Sequence, residues 1–258
     1  MRPLAPAKTR RKPAPKGRAA PQSGAEVFDR LLAAILGGTY AAGTHLPPER
    51  DLATELGASR ATVREALRRL ASLRLVDARQ GSGVLVRSVR DWSFAVLPHY
   101  LKLGAPLSGG GALADLVLEL LDLRREVVLG LLRLIAPRLA ARAGSTQHIA
   151  ERAQAAWARR GDALSFVRAD LEILRALLEE SGMLASVWLL NALGDVYLEL
   201  ARSMGDRARV PATYLESHLA IDAALSRGDG EAACAEMARF LAESDRQILD
   251  VLGLQPLR

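Results

Sequence analysis

The run from Leu46 to Val86, LPPERDLATELGASRATVREALRRLASLRLVDARQGSGVLV, leaves few folds open. Pro47 and Pro48 open a first short helix, at positions where backbone N–H groups lack intrahelical partners in any case. Gly57 supplies the left-handed residue that ends it. Ser59 is an N-cap for a second helix, in which Val63, Ala66, Leu67, Leu70 and Leu73 share one face. The opposite face holds Ala61, Arg64, Glu65 and Arg68, with Arg60 and Thr62 at the N-terminal tip. A helix with an apolar back, an arginine-rich front and a small polar leading end can enter a DNA major groove. It reads as the recognition helix of a helix-turn-helix. Leu75-Val76 and Val84-Leu85-Val86 then flank a glycine-containing turn, which predicts a hairpin. With Arg79 and Gln80 near its tip, that hairpin is a wing laid along DNA.

Cap, turn, helix and wing in this order resemble the winged helix of the GntR family of bacterial transcription regulators. The likeness runs over about forty continuous residues with its motifs in register. It implies DNA contacts from the arginine of the PxER stretch, the start of the recognition helix and the wing tip. Those positions are Arg50, Ser59, Arg60, Thr62, Arg64, Gln80 and Gly81; Ala61 stands where the family often has threonine.

A chain of 258 residues suits two domains or one large one. Half of it is hydrophobic but only 4% is aromatic, a balance that predicts a mainly α, soluble protein. No signal peptide is visible, since no apolar core follows the charged N-terminus. The segment Leu113–Leu139, read as the most apolar, is interrupted by eight charged residues, so no membrane span is expected. The single Cys234 excludes an internal disulfide and fits a reducing cytoplasm. Charge is unevenly placed. Residues 1–23 carry seven Lys/Arg and no acid, residues 24–90 ten bases against seven acids, and residues 91–258 eighteen against twenty-two. A polyanionic partner is therefore expected for the front half only.

Residues 1–23, rich in Pro, Ala and basic side chains, read as a disordered basic tail. Residues 24–90 form the winged helix-turn-helix, starting with a helix over Gly24–Gly37 that carries Val27, Leu31, Ala34 and Ile35. His45, without ligand-like neighbours, reads as a surface or backbone-contact residue. Residues 91–111 are expected to be a linker with a short helix over Phe94–Leu103 and a glycine-rich joint at 107–111. From 112 to 253, glycines at 144, 161, 182, 205, 228 and 253 separate helices of about four to six turns, giving an all-α bundle of six or seven helices. Pro137 is expected to kink or split the first of them. This order resembles the FadR-like subfamily, through LDLRREV from Leu121, Asp170, His218 and ESHLAIDAALSRGDGEAACAEMARFL. The resemblance implies a C-terminal domain that binds an effector and dimerises, so that a homodimer places two reading heads on a pseudo-palindromic operator.

Three polar residues interrupt apolar faces of that bundle. Arg124 has Leu120, Leu121, Val127 and Val128 at helical spacing; Asp170 has Phe166, Val167, Ile173 and Leu174; His218 has Leu215 and Ile221. A charge on such a face is costly unless paired, so these residues either satisfy one another or await a ligand. The pairing alternative joins Arg124 to Asp170 and His218 to Asp222. In the subfamily a divalent metal is often held by an Asp, a His four residues on, and two further His twenty-two apart. Here Asp170 and His218 match, whereas Leu174 and Phe240 occupy the other two positions. Zinc usually takes three or four protein ligands, so no metal and no other cofactor is expected. Arg124 is then an anchor for an acidic effector, a fatty acid or acyl-CoA by resemblance, in a pocket of Arg124, Asp170, Leu174, His218 and Phe240. No GxSxG, HExxH, Walker loop or dinucleotide glycine pattern is present, and Gly81-Ser82-Gly83 sits in a hairpin, so no enzyme activity is expected. The reading is a cytoplasmic, effector-responsive repressor acting on double-stranded DNA. The alternatives are a regulator that senses a carboxylate through a residual metal site, and a helical scaffold with a basic head.

Overall fold

The computed structural model describes residues 23–79, 83–103, 113–141 and 149–254. The basic tail at 1–22 and the wing-tip contacts expected at Gln80 and Gly81 lie outside the described residues. Three helices and a hairpin follow from local chemistry. Helix α1, Gly24–Leu36, is closed by a capping box. Ser23 Oγ accepts from the Glu26 N–H at 3.2 Å, and the Glu26 carboxylate accepts from the Ser23 N–H at 2.8 Å. Helix α2, Glu49–Leu56, starts after Pro48 and ends on Gly57 at φ 63°. Helix α3, Arg60–Ser72, opens on Ser59, whose Oγ accepts from the Thr62 N–H at 3.1 Å. Val63, Ala66, Leu67 and Leu70 are buried, as the 3.6-residue period requires.

Strands β1, Val76–Arg79, and β2, Gly83–Val86, pair antiparallel with Val76 opposite Val86. The segment before α2 adds to this hairpin. Leu46 N–H donates to the Val84 carbonyl at 2.8 Å, Val86 N–H to the Thr44 carbonyl at 2.9 Å, and His45 bridges Leu85. His45 is exposed, and the wing is tied to the body of the head on its inner side.

The following segment is more than a tether. Two 3₁₀ turns, Val89–Asp91 and Phe94–Val96, precede helix α4, Leu97–Leu103, so the short helix begins three residues later than its apolar pattern suggested. Val96 and Tyr100 are buried in the core of the winged helix. Leu101, on the next position, packs with Val117, Leu120, Val196, Leu200 and Leu249 of the helical body. Phe28 of α1 meets His99 edge-on at 5.4 Å and Lys102 pairs with Asp29 at 3.5 Å. One short helix therefore contributes side chains to both cores.

The body consists, among the described residues, of α5 (Leu113–Ala140), α6 (Ile149–Trp157), α7 (Ala163–Glu180), α8 (Leu184–Met204), α9 (Tyr214–Ser226) and α10 (Gly230–Leu252). The glycine spacing is a poor ruler for length, since α5 has 28 residues and α6 nine. Pro137 does not split α5. It lies in the last turn, where the hydrogen bond it removes belongs to a helix about to end. The turn between α9 and α10 presses on that end. Gly228, at φ 71°, would carry a Cβ only 2.8 Å from Ala140 Cβ, and Gly230 one 3.0 Å from Ala136 Cβ. The most apolar long helix is not α5 but α8: Leu184–Arg207 is long and apolar enough to cross a membrane, by length and composition only. It packs against both α4 and α7, while Leu184, Trp188 and Leu189 near its start stay exposed.

Candidate DNA-reading face and effector cavity

The leading end of α3 is an exposed surface. Ser59, Arg60, Ala61 and Arg64 face solvent, and Thr62 is half-buried beside its cap. Ser59 and Thr62 hydroxyls lie 2.8 Å apart, so the cap that starts the helix also fixes two of the predicted contact side chains. Arg60 makes no hydrogen bond or ion pair to a described residue and is free to meet an anion. Arg50, at the second position of α2, is bonded through Nε to the adjacent Asp51 at 3.1 Å and is 73% exposed. Arg64 is held differently. Its Nη2 donates to Glu49 Oε2 at 2.7 Å and its Nε lies 3.2 Å from both carboxylate oxygens. That bond keeps the Glu49 carboxyl below its usual range, with Arg60 and Arg68 adding to the effect. Glu49 is the acidic residue of the PxER stretch, but nothing in the sequence pairs it with Arg64. Fifteen residues separate it from Arg64, and no helical or strand period links them.

The second site lies inside the body. A cavity of about 160 Å³ is lined by Arg124, Asp170, Leu174, His218 and Phe240, so the five residues expected to form an effector pocket do converge. The rest of its wall is mainly aliphatic, from α5, α7, α8 and α10, with Arg160 and Arg209 also lining it. Its volume is close to that of a cavity able to hold benzene. It suits a small organic acid, whereas a coenzyme A thioester, with its nucleotide and pantetheine arm, is far larger.

The pairing inside the body differs from the expected alternative. Arg124 does not bond Asp170. It bonds Asp245 of α10, which also accepts from Arg125 Nη2 at 2.6 Å. The Asp245 side chain is only 6% exposed and that of Arg124 16%, so the pair is largely desolvated. Asp245 stands on an apolar stripe with Leu241 and Leu249 four residues either side, the same signal that marks Arg124. Arg124 keeps a buried Nε–H with no hydrogen-bond partner among the described residues. Its guanidinium lies 5.7 Å from the ring centroid of Tyr197, whose hydroxyl is pushed up to about 12 by burial.

Asp170 instead accepts from the Tyr214 hydroxyl at 2.7 Å. Burial, reinforced by that carboxylate, drives the Tyr214 phenol far above its ordinary range. His218 is not bonded to Asp222 as expected. Its Nδ1 donates to the Tyr214 carbonyl at 2.8 Å, which leaves Nε2 facing Asp170 Oδ1 at 3.6 Å. Trp157, Phe166, Tyr214, His218 and Phe240 form one aromatic cluster centred on Tyr214. The donors do not fit the subfamily's metal site. Leu174 and Phe240 offer no lone pair, and no group of three or more His, Cys, Asp or Glu that could hold a metal occurs among the described residues. A wider open groove of about 840 Å³ runs along α5, α9 and α10. Asp245 lines that groove, and Phe240 lines both the groove and the inner cavity.

Comparison with known proteins finds family models matching two stretches of the chain. The family model described as "Bacterial regulatory proteins, gntR family" matches residues 24–86, and that of the FCD domain matches residues 119–243. The uncharacterized HTH-type transcriptional regulator Rv0494 of Mycobacterium tuberculosis is 31% identical over 222 residues, covering 82% of this chain and 83% of that protein. The mannosyl-D-glycerate transport/metabolism system repressor MngR of Escherichia coli is 42% identical over 65 residues, 25% of this chain and 27% of that protein. Among solved structures, Lar, which controls expression of the agr system of Listeria monocytogenes, aligns with a TM-score of 0.59 at 17% identity, covering 88% of this chain and 96% of that one. It shares the fold.

Proposed function

The chain belongs to the GntR family of bacterial transcription regulators, in the FadR-like branch that carries an FCD domain, and we propose that it is a homodimeric repressor released from its operator by a small organic acid. Its family and relatives are DNA-binding regulators of transcription and not enzymes. In this reading residues 24–90 are the reading head and residues 112–253 the effector-binding and dimerising body, working in the cytoplasm. Arg60, Arg64, Arg50, Ser59 and Thr62 meet DNA, with Gln80 and Gly81 at the wing tip. The repressor role has support from a relative of the head that is named a repressor.

The observation that carries the effector half is the convergence of Arg124, Asp170, Leu174, His218 and Phe240 on one mainly apolar cavity of about 160 Å³. An acid of about benzoate size would set its body against the aliphatic wall and its carboxylate against Arg124, where a charge-assisted bond in a dry site is strong. A ligand shifts an equilibrium only by binding one arrangement better. Occupation of a cavity whose wall includes α5 and α10 would therefore favour one spacing of the two heads.

The test is a duplex titration of the full chain with a panel of small aliphatic and aromatic carboxylates. An acid should release the wild-type chain, and Arg124→Met should bind the same duplex but no longer respond. Arg60→Ala should lose operator affinity by about 1–3 kcal/mol, the worth of a bidentate base contact, and lose less on random DNA. Release of Arg124→Met at the wild-type acid concentration would refute the anchor. Equal loss on both duplexes would reduce Arg60 to a phosphate contact.

A further inference from the structure

A guanidinium has two forks. One is formed by Nε and a terminal nitrogen, the other by the two terminal nitrogens. In Arg64 the first fork is taken: Nε and Nη2 both lie on the Glu49 carboxylate, at 3.2 and 2.7 Å. Its Nη1 makes no hydrogen bond to a described residue, and the side chain is 55% exposed. The free fork has the geometry that matches the O6 and N7 acceptors of guanine in the major groove. Arg50, Arg60 and Arg68, the other arginines beside this face, are not held in this way. Arg68 spends Nη1 on Glu65 of its own helix, Arg50 bonds its immediate neighbour, and Arg60 has no described partner. Only Arg64, among them, is clamped side-on by a carboxylate from a different helix.

The clamp is built to stay charged. Glu49 is the first residue of α2, where the positive end of the helix dipole favours an anion. Three arginines of α3 one turn apart, Arg60, Arg64 and Arg68, hold its carboxyl below the usual range. A carboxylate so close to a DNA-binding face has a cost, since it repels phosphates. A residue that costs non-specific attraction yet is locked onto a contact arginine acts on aim rather than on charge.

We propose that Glu49 is a positioning residue for sequence readout: it fixes the Arg64 guanidinium so that its free fork points at a guanine, trading general DNA affinity for discrimination. This rests on the reading of Arg64 as a DNA contact. A long arginine side chain that is already immobilised loses less freedom on binding a base. Without the clamp Arg64 would find phosphates as readily as base edges, which position but do not specify.

The opposite signs make the test sharp. Wild type, Glu49→Ala, Glu49→Gln, Arg64→Ala and the double variant Glu49→Ala/Arg64→Ala would be titrated on two duplexes of equal length. One is the tightest sequence that the wild-type chain recovers from a randomised pool, the other a random sequence. Glu49→Ala should bind the selected duplex roughly tenfold more weakly, the scale of a misplaced base contact. The same variant should bind random DNA as well as wild type or more tightly, with the melting temperature little changed. Glu49→Gln keeps the side chain's length and one acceptor, and should lie between. The double variant should match Arg64→Ala, because the clamp has nothing left to aim. Equal weakening on both duplexes would make Glu49 a strut between α2 and α3 and overturn the proposal. Tighter binding to both by the same factor would make it a mere repulsive charge and overturn the proposal equally. If Arg64→Ala itself leaves the ratio between duplexes unchanged, the reading of Arg64 as a base contact fails first, and the clamp falls with it.

Discussion

Replacing Asp245 by asparagine keeps the shape of the side chain and removes the one anion that two arginines share. Asp245 is 6% exposed, Arg124 16% and Arg125 34%. Arg125 has a second carboxylate, Asp122, at 3.8 Å and enough exposure to turn toward water, so the loss falls mainly on Arg124. Removing one partner of a buried ion pair costs about 3–5 kcal/mol, because the other charge is left desolvated and uncompensated. The asparagine oxygen still accepts one hydrogen bond, which puts the expectation near the low end, about 3 kcal/mol. In a chain of this size that lowers the melting temperature by roughly 6–12 °C. The companion variant is Arg124→Met with Asp245→Leu, which replaces the pair by apolar side chains in a largely aliphatic surrounding. Such replacements are often neutral or stabilising, so the double variant should lie within about 1 kcal/mol of wild type and be more stable than Asp245→Asn. Urea unfolding of the full chain, compared at a shared slope and arranged as a double-mutant cycle with each single change to Met or Leu, measures the coupling. Costs that simply add, or an Asp245→Asn variant as stable as wild type, would refute the idea that this pair is a desolvated unit.

Two further outcomes follow from local geometry. Gly228→Ala combines a left-handed backbone at φ 71° with a contact of 2.8 Å to Ala140 Cβ, whereas Gly182→Ala has φ 72° and open space. Calorimetry should show about 1–2 kcal/mol lost at Gly182 from backbone strain alone and about 1–3 kcal/mol more at Gly228 from overpacking. Equal losses would mean that the α9–α10 turn yields freely at the end of α5. The second concerns pH: burial against Phe28 pushes the His99 imidazole below its ordinary value of 6.5. The unfolded chain therefore takes up the proton first on acidification. The contribution is fully present above about pH 6.5 and is lost as pH falls from there toward the folded value. Urea stability measured across that window should fall with acid in wild type and fall less in His99→Gln. An identical slope in both would exclude His99 as its source.

Much of the architecture was legible because it is decided by residues close in the chain. Ser59 caps α3 through a residue three positions on, Gly57 ends α2 by its own backbone freedom, and the stripe of Val63, Ala66, Leu67 and Leu70 needs only the helical repeat. Even the inner cavity cast a local shadow, since Arg124, Asp170 and His218 each break an apolar face. Their partners were a different matter. Asp245 lies 121 residues from Arg124, and Tyr214 lies 44 from Asp170. Which carboxylate meets which base depends on how α5, α7, α9 and α10 cross, and no periodicity within one helix encodes that angle. The same limit hid the pairing of Glu49 with Arg64 and the sharing of α4 between two cores. Sequence alone set the elements, their caps and the residues too polar for their faces. Packing chose the pairings and the size of the cavity, because desolvation penalises a buried charge wherever it sits but only three-dimensional neighbours can satisfy it.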